Sequence, residues 1–273
     1  RTALLPRGDG GPSGDALAGR IRDAHHDRPK VIVIDGGYAD DGEALVEHIR
    51  DVYETSVVDL VIGTHSDSDH INGLKVVVDR LTVKELAVHR PWLYTDEMAR
   101  AAAVVRLSKA AGGTFTGKFE RSLAAVSDLT ALAAAKGIPI VDPFAGFARF
   151  GASVTVLGPT KDYYCDLLPS FRSAPTSLSA GAGVGTILRK ALGTVTEAIF
   201  DVAESLWMAT LTNSGTPAAE NNASVITIPT PADDRFLLTG DTAAQQLATA
   251  ARLGARPTLT NPPPHSHAPP PLS

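Results

Sequence analysis

The stretch VIGTHSDSDHINGL, residues 61–74, decides how this chain is read. Two histidines and two aspartates, His65, Asp67, Asp69 and His70, fall within six residues, with Ser66 and Ser68 between them. An apolar β-forming run, Val57 to Ile62, precedes them, and Ile71 and Leu74 follow at helical spacing. The polar loop therefore sits at the carboxyl end of a strand, where α/β proteins place their ligands. Imidazole nitrogens and carboxylate oxygens are good donors to divalent cations. The alternative is a solvated Asp/Ser turn that caps a helix. That alternative assigns no role to two histidines flanking two aspartates, whereas a cation would relieve their crowding.

Outward from the loop, strands and helices alternate. VIVID (Val31 to Asp35) is a β-branched run closed by Gly36 and Gly37. A helix capped at Asp40 or Asp41 follows, with Leu45, Val46, Ile49, Val52 and Tyr53 on one face. Past the loop, Ile71, Leu74, Val78 and Leu81 predict a second helix, and VKELAV (Val83 to Val88) a third strand. This alternation predicts an α/β layered fold. Residues 96–137 read as a helical hairpin broken at Gly112-Gly113, and VTVLGPT (Val154 to Thr160) resumes the strands. Helix is expected over 161–172 and 186–211, with a Ser/Ala/Gly-rich loop at 173–185 between them. SVITI (Ser224 to Ile228) and RFLLT (Arg235 to Thr239) pair as a hairpin, and a helix over 242–253 follows. Residues 1–29 read as an irregular segment, a loose edge or damaged first strand, and 261–273 as a Pro-rich tail. Residues 30–260 then form one domain, interrupted by insertions at about 96–137 and 161–215.

Composition narrows the class. The 273 residues are 44% hydrophobic and 20% charged, as in an ordinary globular protein, with a net charge of −5 that argues against coating nucleic acid by bulk charge. One cysteine, Cys165, excludes an internal disulfide and a Cys-based zinc site. No apolar run approaches the roughly 20 residues of a membrane span and no secretory signal is visible, so the expectation is a cytoplasmic protein without membrane contact. The first residue is Arg1 rather than Met, and a native start upstream of it is expected. Oligomeric state leaves no mark in the sequence.

THSDSDHINGL resembles the H-x-H-x-D-H signature of the metallo-β-lactamase fold hydrolases, with Asp67 where most members carry the second histidine. The H-x-D-x-D-H form followed by INGL is similar to the ComEC-like branch. VIVIDGG resembles the family's first strand and turn, and ENNASVITI followed by FLLTGD its later hairpin. The resemblance implies a four-layer αββα sandwich with two divalent metal ions, Zn2+ or Mn2+, at one edge. It implies that His65 and Asp67 ligate the first ion, Asp69 and His70 the second, and that Asp241 bridges both. Asp35 would orient the loop without ligating, or be a plain turn aspartate before two glycines. Asn222 would hold a ligand or simply start a strand. His265, in PPPHSHAP, is the nearest match to the family's last histidine, although its prolines depart from the usual strand and turn. His89 and Arg90, in VHRPW, would bind substrate or form a packing patch beside Trp92.

The activity so implied is hydrolysis by metal-activated hydroxide, with Asp69 as the catalytic group that orients it or takes its proton. An extra hard oxygen ligand at Asp67 moves the preference from zinc toward manganese, and the substrate class toward a small-molecule or nucleic-acid phosphodiester. Hydrolysis of another ester, thioester, lactone or lactam, or a catalytically decayed binding module on the same scaffold, are the alternatives.

Overall fold

The structure is a computed structural model, and the residues it describes are 2–4, 15–21, 28–114, 118–171, 218–229 and 238–241. A six-stranded mixed sheet runs through the centre. Its strands are β1 (Thr2–Leu4), β2 (Ala16–Ile21), β3 (Lys30–Gly36), β5 (Leu60–Gly63), β7 (Leu86–Val88) and β8 (Ile140–Val141), in that order. The first two pairings are antiparallel and the remaining three parallel. A short parallel pair, β4 (Val57–Val58) with β6 (Thr82–Val83), stands beside it. A second sheet orders β11 (Ile226–Pro229), β10 (Val154–Gly158) and β9 (Ala148–Arg149), all antiparallel.

Alternation along the strands builds two cores. Val31, Val33, Val61, Leu86 and Val88 face helices α1 (Ala39–Asp51), α2 (Ser68–Arg80) and α4 (Lys118–Ala135). Ile32, Ile34, Leu60, Ile62 and Ala87 face the other way, onto Val154, Val156 and Val225 of the second-sheet side. Each fully buried Val, Leu or Ile contributes roughly 1.5–3 kcal/mol. The described residues thus stack as helices, sheet and sheet. The described residues show no second outer helical layer of the expected four-layer sandwich, and the readings over 173–185, 186–211, 242–253 and the tail lie outside the described residues. A third apolar cluster joins α3 (Asp96–Ala110), α4, α5 (Lys161–Leu167) and the short α6 (Ala219–Asn222) through Met98, Leu123, Tyr164 and Ala223.

Two readings need correction. Residues 1–29 are not irregular throughout, because β1 and β2 extend the central sheet at its antiparallel edge. The strand ALAGRI is built from small residues and a glycine, which lack the β-branched signature, yet Leu17 and Ile21 still fall on one face and Ala16 and Ala18 on the other. The runs 57–62 and 83–88 are each interrupted. The first breaks at Asp59, whose carboxylate turns inward and accepts from the Val31 N–H at 3.0 Å. The helical hairpin forms where the spacing predicts it, as α3 and α4.

Two features fix how the layers approach. A Cβ on Gly73 of α2 would lie 1.8 Å from the Gly36 carbonyl oxygen and 2.6 Å from that of Tyr38, so the helix reaches the end of β3 only because Gly73 has no side chain. At the far end, buried Asp59 also accepts from Arg28 at 2.5 Å and Lys84 at 3.0 Å. Burial pushes the Asp59 carboxyl up, but the bonds from Arg28, the Val31 N–H and Lys84 outweigh it and hold the pKa below the ordinary value.

Gly73→Ala is expected to cost more than about 3 kcal/mol in urea unfolding, since the obstacle is backbone. Gly112→Ala, with φ +81° and open space around it, should cost about 1 kcal/mol of strain. Asp59→Asn should lose about 2 kcal/mol at pH 7. The depressed carboxyl stabilises the fold above its unfolded value of 3.8 and ceases to do so as pH falls through its lower folded value. The gap between the two proteins in melts from pH 7 to pH 3 should therefore narrow only at the acid end.

Candidate metal centre

The loop after β5 and the start of α2 lie at the carboxyl ends of the parallel strands, and Asp35 ends β3 beside them. Asp35 takes φ +54°, a left-handed conformation that aspartate tolerates better than most residues. Its Oδ1 accepts from the Thr64 N–H at 2.7 Å. Its Oδ2 accepts from the Thr64 hydroxyl at 2.6 Å and from His70 Nδ1 at 2.9 Å.

These bonds settle both histidine tautomers. The single hydroxyl proton of Thr64 goes to Asp35, so the contact between Thr64 Oγ1 and His65 Nδ1, 3.1 Å, requires that His65 donate. His65 Nε2 then carries a bare lone pair. It is buried and has no hydrogen-bond partner. Burial, and next the neighbouring His70, push the His65 pKa below 6.5, which keeps it neutral. Burial alone would also lower His70, but the carboxylates of Asp241 and Asp35 hold its proton and raise its pKa well above the ordinary value.

Asp241 reaches the same point from the second-sheet side. The Val225 N–H donates to the Thr64 carbonyl at 2.9 Å, and Thr227 and Leu238 exchange both backbone hydrogen bonds at 2.9 Å. Gly240, at φ +51°, lets the chain pass over Thr64, since a Cβ there would stand 3.0 Å from the threonine hydroxyl. Asp241 Oδ2 then lies 3.9 Å from His65 Nε2 and 3.7 Å from His70 Nε2. The donor atoms of His65, His70 and Asp241 all fall within 4.8 Å of one another. Asp67 Oδ2 stands 3.8 Å from His65 Nε2. Donors held at about 2.0–2.2 Å to one ion stand at most about 4.4 Å apart, so the Asp241–His65, Asp241–His70 and Asp67–His65 separations each fit a shared divalent cation. The bare, buried nitrogen of His65 is the donor a cation would complete.

The remaining expected residues fall as follows. Asp69 is half-buried in the first turn of α2, and both it and Asp67 fall outside the group of three. Asn222 Oδ1 is buried without a hydrogen-bond partner, and it is the adjacent Asn221 whose Nδ2 donates to Asp241 Oδ2 at 3.3 Å. His89 is buried between the rings of Phe144 and Tyr164, each with its centroid 4.5 Å away, and burial pushes its pKa down to about 4. Arg90 is engaged by Asp142 through its backbone N–H and its guanidinium. Both thus make internal contacts rather than presenting free groups. His265 lies outside the described residues.

Three neighbours escape the sequence reading. Asn221 is hidden in an Asn pair. Ser122, on α4, donates to Asp67 Oδ1 at 3.1 Å across 55 residues of chain. Asp15, whose carbonyl accepts from the Gly37 N–H at 2.8 Å, heads the strand that carries no β signature. Desolvation raises the Asp15 carboxyl and His70 opposes it, while the charges of Asp35, Asp241 and Asp69 raise it further, which places Asp15 on the rim of the same site.

No family model matches the chain, and no curated protein matches it. Among solved structures, it is similar to a Thermotoga maritima protein provisionally described as a metallo-beta-lactamase, at 14% identity and a TM-score of 0.34, over 57% of this chain and 61% of that one. The chain thus spans less than two thirds of that protein.

Imidazole nitrogen NMR should find His65 protonated at Nδ1 and bare at Nε2, and still neutral below pH 6.5 where exposed histidines charge. Because the unfolded chain takes up that proton first, His65 should cost stability as pH falls below 6.5 toward its lower folded value. Thr64→Val, which removes the relay, should abolish the tautomer preference and cost about 1–3 kcal/mol by leaving buried polar atoms without partners.

Proposed function

We propose that the chain is a metal-dependent hydrolase of the metallo-β-lactamase superfamily, in its ComEC-like branch, acting on phosphodiesters. The observation that carries the reading is the bare, buried His65 Nε2 directed at Asp241 and Asp67, beside His70 Nε2, at the carboxyl end of parallel strands. A divalent cation held there supplies Lewis-acid activation of water and of the attacked group. His65, His70 and Asp241 would hold it, with Asp67 beside His65 as a further candidate donor. Asp35, through Thr64 and by its bond to His70, holds both imidazoles by Nδ1 and leaves each Nε2 near Asp241. Asp69, on the accessible side, takes the proton of the attacking water.

The oxygen-rich donor set, two carboxylates to two imidazoles, supports Mn2+ beside Zn2+ and a phosphorus rather than a lactam target. The H-x-D-x-D-H pattern supports a dinuclear alternative, in which His70 and Asp69 would serve a second ion instead, Asp241 would be shared, and His265 and Asn222 would be further candidate ligands. Asp15 and Asp69 give the mouth a negative charge. An anionic phosphodiester would then be drawn in only when the cation is present.

Purified protein should hydrolyse an activated aryl phosphodiester when supplied with Mn2+ or Zn2+ and lose that turnover on chelation. Asp69→Ala should lower it by about 100-fold or more. Equal turnover by Asp69→Ala would sink the assignment, and turnover confined to a thioester, lactone or lactam would move the site to another branch.

A further inference from the structure

We propose that Ser122, supplied by the helical insertion, is a positioning residue that fixes which oxygen of Asp67 is offered to the cation. The inference rests on the reading of the site as a metal centre. Asp67 occupies the N-cap of α2 with extended backbone angles, φ −63° and ψ 143°, yet makes no side-chain capping hydrogen bond. That bond is the usual reason for an aspartate at such a position. Its carboxylate instead turns into the protein. Oδ1 accepts the Ser122 hydroxyl at 3.1 Å, and Oδ2 faces His65 Nε2 at 3.8 Å.

Asp67 and Ser122 are each 3% exposed, so bulk water does not compete for the bond. A helical serine commonly returns its proton to a carbonyl of the preceding turn. Here it goes across to Asp67. The helix that presents it is held on both sides, by Phe119 and Leu123 in one apolar cluster and Val126 and Leu129 in another, so the hydroxyl has little freedom to follow the carboxylate. With Oδ1 held by Ser122, Oδ2 is the oxygen turned to His65 Nε2. Hydrogen-bonded partners of this kind orient a ligand and tune its affinity.

The test uses the full chain, stripped of metal with a chelator, and titrations with Mn2+ and with Zn2+ against a competing chromophoric chelator. Ser122→Ala should weaken affinity about tenfold. The melting temperature of its metal-free form should stay that of the wild type, which separates positioning from general stability. Ser122→Thr, which keeps the hydroxyl, should hold affinity near that of the wild type, while Ser122→Val, matched to it in volume, should weaken it and decides the matter if the alanine variant does not fold. Unchanged affinity in Ser122→Val and in any folded Ser122→Ala, while His65→Ala loses binding, would overturn the role of Ser122 and leave the metal centre standing. If the wild type itself binds no cation, or His65→Ala binds as tightly, the metal reading fails and this inference fails with it.

Discussion

One carboxylate organises this site. Asp35 receives the Thr64 N–H, the Thr64 hydroxyl and His70 Nδ1. Thr64 in turn orients His65 and accepts the Val225 N–H, so the strand that leads toward Asp241 is tied to the same residue. Two sheets, one helix start and both imidazoles thus meet at a single hydrogen-bonded pair. Each bond is worth only about 1–3 kcal/mol, yet all are buried and share atoms, so removing one leaves others unpaired.

The arrangement is preorganised rather than relaxed. Asp35 stands in a left-handed conformation, Gly240 has a positive φ over Thr64, and His65 retains a buried nitrogen without a partner. Local costs of this kind cluster where proteins bind or react. The carboxylates of Asp241 and Asp35 raise the pKa of His70 while burial lowers that of His65, so the two imidazoles answer one converging negative charge in opposite directions.

Much of this is legible in the sequence, for specific reasons. The pattern of His65 to His70 is local, so its chemistry survives in one dimension, and β-branched runs mark β3 and β5 plainly. Asp241 is legible only by likeness to a known hairpin, since nothing local distinguishes it from a turn aspartate. Ser122 and Asn221 are illegible, because a lone serine on a helix and one of two asparagines acquire meaning only through contacts made across the fold. The strand Ala16–Ile21 is legible only as a loose edge or damaged strand because alanine and glycine carry no β preference, and its place is decided by the neighbour it pairs with. For His89 and Arg90, the sequence shows residues suited to a cleft and cannot show that Phe144, Tyr164 and Asp142 already engage them.

Strands β3 and β5 are joined at both ends by carboxylates that reach across in opposite directions. Asp59, just before β5, accepts the Val31 N–H at the start of β3, and Asp35, near the end of β3, accepts the Thr64 N–H just after β5. A slip of one residue between these strands would turn every side chain to the wrong face and strand two buried charges at once. The pair therefore ties the register of the parallel strands to the burial of two carboxylates. A misaligned chain would have no weaker version of the site, because the contact that checks the alignment is the one that aims the histidines.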